Sequence, residues 1–229
     1  MSFIFIFYLC TQNKHHNHYE SKKSLFSLCP GAYRMWHHAG AIYPSHCTPR
    51  FLEHRRFCAK LHRCTRKADS IDCYASEFDV WLTTDHQLVV NHDATFKGVT
   101  MQDATAKVCT AVQLDNGEAL PTLQQYLDKA KSLKTRLILE LKAHKTPEQE
   151  TRAVEDIVKM VKDMGLEDRT EYITFSRHAT KEFIRLAPQG TPVYYLEGDL
   201  SPKELKEWGC AGPDYHFSVF KKHPEWIKE

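Results

Sequence analysis

The chain has 229 residues, 42% hydrophobic and 26% charged, enough for one sizeable core or two small ones and incompatible with global disorder. Lys and Arg number 31 against 29 Asp and Glu, a formal charge of +2, so nothing in the charge balance argues for a nucleic-acid partner. No apolar run reaches the roughly 18 residues of a membrane span, and Phe3–Leu9 is apolar but short and lacks the basic start of an export signal.

These totals conceal a break. Residues 1–65 carry 2 acidic and 9 basic residues, 8 of the 14 His and 5 of the 8 Cys. Residues 66–229 carry 27 acidic and 22 basic residues. No helical or strand period persists in the first segment. A zinc module lacks any CxxC there, and HHNH at 15–18 has no partner pair at finger spacing. A disulfide scaffold is not needed beside a large core. A basic disordered arm and an out-of-frame stretch are the remaining readings, and the expected boundary is at residue 65/66.

From Lys67 onward strand-like and helix-like runs alternate. Cys73–Leu82 is an aromatic and β-branched strand, and Gln87–His92 follows a Thr84-Asp85 turn as a hairpin-like extension. Pro121-Thr122 opens a helix, TLQQYLDKAKSL. Arg136–Lys142 is a buried strand ending in charge. Pro147–Met164 is an amphipathic helix stopped by Gly165. Strands over Tyr172–Ser176, Pro192–Leu196 and Asp214–Val219 alternate with helices over Ala179–Ala187 and Pro202–Trp208, and a helical turn closes the series at His223–Lys228. This spacing implies a parallel sheet with helical crossovers, either open or closed into a barrel. The nucleotide loops GxGxxG and GxxxxGK[ST] do not occur.

Chemistry concentrates at strand ends. Glu77 and Asp79 are two apart in a strand and so share a face. Paired carboxylates inside a sheet are costly unless a positive charge joins them, and a hard divalent cation is one answer. Glu140 and Lys142 repeat the spacing on the next strand, where a surface salt bridge is the competing reading. His92-Asp93 follows the apolar run LVV, placing an imidazole beside a carboxylate, as a general acid/base or as a hydrogen-bonded turn. Ser176 reads as a helix cap or substrate contact. His144, His216 and His223 read as surface or structural, and Tyr215 and Trp226 as packing.

The run SEFDVWLTTDHQLVVNHDAT, then ALPTLQQYL, then LILELK, closely resembles the glycerophosphodiester phosphodiesterase family from about Lys67 to Glu229. The specific part is E-x-D followed by H-D after a short hairpin. The resemblance implies a (β/α)8 TIM-type barrel that uses a divalent metal, Ca²⁺ or Mg²⁺. It implies hydrolysis of a small-molecule glycerophosphodiester to sn-glycerol 3-phosphate and an alcohol. Carried over by motif, Glu77, Asp79 and Glu140 match the metal ligands and His92 one of two catalytic histidines. Lys142 matches a lysine that binds substrate phosphate and supports catalysis, and the segment between His92 and Pro121 matches a small lobe over the active-site mouth. Other barrel phosphodiesterases, of phospholipase D-like toxin or phosphoinositide phospholipase C type, are alternatives, as is an inactive metal-binding remnant.

The family's first strand carries HRG, with the second histidine, and no HRG occurs in this chain; His54-Arg55-Arg56 comes nearest. One compatible back-translation of His46–Thr65, read one base later, gives IAHRGFWNTDGSAQNSIAA, which restores HRG and leads into Lys67-Ala68-Asp69-Ser70. The resemblance also implies two more strand–helix units beyond Glu229. The expectation is therefore an incomplete barrel, its first strand garbled and its last two units missing, weakly stable and weakly active or inactive. Cytoplasmic location is the default for the chain as written, with export possible for an intact form. The oligomeric state is left open.

Overall fold

The computed structural model describes residues 61–70, 73–115 and 117–228. Residues 1–60, with the zinc, disulfide and reading-frame expectations attached to them, lie outside the described residues. Helix α1 (Leu61–Ser70) straddles the boundary expected at 65/66.

Strand β1 (Ala75–Leu82) forms where apolar and polar residues alternate. It pairs antiparallel with β2 (Leu88–Val90), the expected hairpin, and parallel with β5 (Arg136–Leu141). The sheet continues in parallel through β6 (Thr170–Thr174), β7 (Val193–Tyr195) and β8 (Gly212–Pro213), giving the order β2-β1-β5-β6-β7-β8. Among the described residues this sheet is open, as part of a barrel would be.

Period two divides its faces. Phe78, Val80 and Leu82 of β1 and Leu137, Leu139 and Leu141 of β5 point outward into the main core. There they meet α3 (Leu123–Ala130), α4 (Pro147–Asp163) and α5 (Arg177–Leu186). Each such fully buried aliphatic side chain contributes about 1.5–3 kcal/mol by leaving water. Val154, Ile157 and Val161 turn one face of α4 into that core. Thr146 caps α4, accepting from the Gln149 N–H, and Gly165 with φ +65° lets the chain leave. The other face of β1 carries Glu77, Asp79 and Trp81.

Residues 93–120 form a small lobe of β3 (Thr95–Phe96), β4 (Val99–Thr100) and α2 (Ala106–Thr110). Its own cluster joins Met101, Cys109, Leu114 and Leu120 to Trp81 at the end of β1. No helix of the described residues is long and apolar enough to cross a membrane.

Two expected strands move. The strand expected at Tyr172–Ser176 lies at Thr170–Thr174, because Ser176 caps α5 instead, accepting from the Ala179 N–H. The strand expected at Asp214–Val219 is the two-residue β8, after which α7 (Phe217–Lys222) begins with His216 as its cap. The last ladder bond runs from Asp214 N–H to the Tyr195 carbonyl. Beyond it Val219 and Phe220 pack against Tyr195, Leu200 and Tyr215, and that packing overrides strand propensity. Helix α6 (Pro202–Trp208) has the expected bounds, set by a Ser201/Glu204 capping box and by Gly209 at φ +92°.

Candidate active site

The parallel register builds the site. Asp79 pairs with Glu140, so the inward side chains of β1 and β5 stand side by side near the carboxyl ends of both strands. One carboxylate oxygen each from Glu77, Asp79 and Glu140 lies within 4.8 Å of the others. Asp79 and Glu140 are buried. Lys142 Nζ sits 2.6 Å from Asp79 Oδ1 and 2.9 Å from Glu140 Oε1. The predicted positive partner is thus present within the chain, and the competing surface salt bridge is instead buried.

One ammonium cannot balance three carboxylates. Glu77 Oε1 is buried without a hydrogen-bond partner among the described residues, and the Asp79 and Glu140 oxygens meet Lys142 by charge rather than in hydrogen-bond alignment. Burial, followed by the charges of Asp79 and Glu140, pushes the Glu77 carboxyl well above the usual range. Burial also raises Glu140, to about 7, with Lys142 pulling it down and Asp79 pushing it up. For Lys142 burial acts downward, but Asp79 and Glu140 outweigh it and its pKa is raised. Protein oxygens with surplus negative charge suit a hard divalent cation, so the residues present fit such an ion.

His92 follows β2 closely. Asn91 N–H donates to the Asp79 carbonyl at 3.1 Å, and Trp81 Nε1–H donates to the Asn91 carbonyl at 2.9 Å. These bonds bring the His92 backbone to the level of the carboxylates. Its ring is about half exposed, with Nδ1 2.9 Å from Asp93 Oδ1, the paired imidazole and carboxylate that the sequence suggested.

Two contributors, Asp214 and Glu150, were not singled out from sequence, and a third, His144, was read as surface or structural. Asp214 follows β8 on the inward face, two residues after Gly212, which pairs with Tyr194, and it adds repulsion to Glu77. Glu150, buried in the first turn of α4, accepts from the His144 backbone N–H at 3.1 Å and from Ser176 Oγ at 2.5 Å. Ser176 is thereby a cap and a tether, its hydroxyl already engaged. His144 bridges two strand ends, Nε2 accepting from Leu82 N–H at 2.9 Å and Nδ1–H donating to the Lys142 carbonyl at 2.6 Å. Glu150 and Asp214 left no periodic signal. His144 is recognisable only as the second residue after the charged strand end ELK.

A mostly parallel α/β sheet with charged groups converging at the carboxyl ends of its strands is the layout of a barrel enzyme. The family model described as "Glycerophosphoryl diester phosphodiesterase family" matches residues 67–210. A glycerophosphodiester phosphodiesterase from Parabacteroides distasonis is 52% identical, with a TM-score of 0.71 over 73% of this chain and 70% of that one. The chain belongs to the glycerophosphoryl diester phosphodiesterase family. A phosphodiesterase from Oleispira antarctica, solved with its product sn-glycerol-3-phosphate, is 23% identical, with a TM-score of 0.59 over 74% of this chain and 73% of that one; this likeness speaks to the fold alone. No curated protein matches the chain.

Proposed function

We propose that the chain hydrolyses a small-molecule glycerophosphodiester to sn-glycerol 3-phosphate and an alcohol, with Glu77, Asp79 and Glu140 holding one divalent cation, Ca²⁺ or Mg²⁺. The observation that carries this reading is the convergence of three carboxylate oxygens within 4.8 Å at the strand ends. Such an ion, when bound, supplies Lewis-acid charge that neutralises phosphate oxygens.

The chain's own residues do the rest. Lys142 stands beside Asp79 and Glu140; with an ion held by those carboxylates, its ammonium would be left to meet a phosphate oxygen with positive charge. His92 offers an accessible ring, and with Asp93 at Nδ1 its Nε2 is the nitrogen placed to exchange a proton with substrate. Trp81 is fixed in the lobe's cluster and at Asn91, on the carboxylate face of β1.

The test is release of sn-glycerol 3-phosphate from glycerophosphocholine by the purified full chain, with Ca²⁺, with Mg²⁺ and with chelator. Ion-dependent release supports the reading. Because the sequence contains no HRG, a second reading is a fold that binds the ion without turnover. Thermal stabilisation by the ion without product would select it.

A further inference from the structure

The β1–β5 ladder stops one bond early, and the reason is His144. In this register Lys142 N–H donates to the Val80 carbonyl at 3.2 Å. The next rung of a parallel ladder would be Leu82 N–H to the Lys142 carbonyl. Both groups instead bond the two nitrogens of one imidazole, at 2.9 and 2.6 Å. The ring is inserted between the strands where a backbone bond would have drawn them together.

We propose that His144 is a positioning residue that splints the mouth ends of β1 and β5 apart and thereby fixes the spacing of Asp79, Glu140 and Lys142. The inference rests on the reading of those residues as the ion and phosphate site. The site lies immediately below the splint, since Asp79 and Glu140 pair one step before Val80 and Leu141, where the paired register ends. The imidazole is itself braced. Glu150 holds its backbone N–H, Ser176 holds Glu150, and the Trp81 ring lies 5.7 Å from its own. The bracing therefore runs from β1 through β5 to the end of β6. The two bonds require a neutral ring with the proton on Nδ1, and burial lowers the His144 pKa, which favours that form. An imidazole is well suited here because it presents a donor and an acceptor on one rigid body. Leucine presents neither, and its side chain, of about the ring's size, keeps the direct Leu82–Lys142 bond from closing, so a buried N–H and C=O are left without partners. The glutamine amide presents both.

The experiment titrates Mn²⁺ into the full chain, into His144→Leu and into His144→Gln, with Glu140→Gln as control. Amide exchange at Leu82 is followed in the first three. The splint predicts that His144→Leu weakens Mn²⁺ binding about 10–100-fold, as loss of an outer-shell support does. His144→Gln stays within about threefold of the parent, and the Leu82 amide is protected in the parent and exposed in His144→Leu. Unchanged Mn²⁺ affinity in a folded His144→Leu overturns the inference, whatever its melting temperature. If the parent binds no Mn²⁺, or Glu140→Gln binds it equally well, the site reading fails instead. The splint is then decided by exchange alone, and equal protection of the Leu82 amide in parent and leucine variant overturns it.

Discussion

The two ends of the inward sheet face hold charge in opposite ways. At the amino ends of the strands, Arg136 Nε lies 2.8 Å from Glu171 Oε1, and Tyr74 donates to the same oxygen at 2.6 Å. Arg136 also donates to the Asp168 carbonyl, and its guanidinium lies over the Tyr74 ring. One cation meets one anion there, with a phenol completing the shell. At the carboxyl ends three carboxylates share one ammonium, and a buried oxygen of Glu77 has no hydrogen-bond partner among the described residues. The first arrangement is closed and serves the fold. The second is in deficit of positive charge, and a proton or a ligand cation must settle it. Burial alone does not distinguish function from structure in this protein; the balance of charge does.

That contrast can be broken by mutation. Glu140→Gln is expected to reduce glycerol 3-phosphate release on the order of 10³-fold, because it removes an ion ligand, while raising the stability of the ion-free chain by about 1–2 kcal/mol, because it relieves repulsion. Product assay and denaturant unfolding in chelator check both halves, and destabilisation in the second would contradict the deficit. At the opposite end, Arg136→Ala strands the buried Glu171 carboxylate. The expected cost is about 3 kcal/mol of folding stability, read as a lower unfolding midpoint, with Mn²⁺ affinity of the folded protein unchanged.

The deficit also sets a pH dependence. Glu140 has a folded-state pKa near 7 against an ordinary 4.5, and Glu77 is raised as well. A raised carboxyl keeps its proton in the folded state where the unfolded chain has lost it. Stability is therefore full below about pH 4.5 and falls as pH rises through about 7. The ion-free protein should lose on the order of 3 kcal/mol from Glu140 across that window, with Glu77 adding to the loss. A saturating divalent ion should flatten the slope, since it favours the ionised carboxylates. Melting curves against pH, with chelator and with Ca²⁺, measure this; equal slopes would contradict it.

The smallest expected effect lies away from both ends. Thr122 caps α3 in a reciprocal box with Gln125, and Thr122→Ala should cost about 1 kcal/mol without altering ion affinity or its pH dependence.

Much of this was legible in the sequence. The i, i+2 carboxylates specified a shared face, Pro121-Thr122 specified a helix start, and the alternation of periods specified a parallel sheet with helical crossovers. The end of the sheet was less legible. Asp214–Val219 read as a strand, but Val219 and Phe220 belong to a helix because Tyr195 and Tyr215 supply the surface they pack on. Lys142 was visible as a charge at a strand end, but only the register shows it standing between Asp79 and Glu140. The insertion of His144 into the ladder had no periodic trace, because a missing rung is a relation between two strands and belongs to neither.

The most direct test of the account is an anomalous-scattering map from a crystal of the full chain soaked in Mn²⁺. The account predicts one peak bounded by oxygens of Glu77, Asp79 and Glu140, with the Lys142 ammonium displaced from its place between Asp79 and Glu140. No peak there, with Lys142 still paired to both carboxylates, would contradict it.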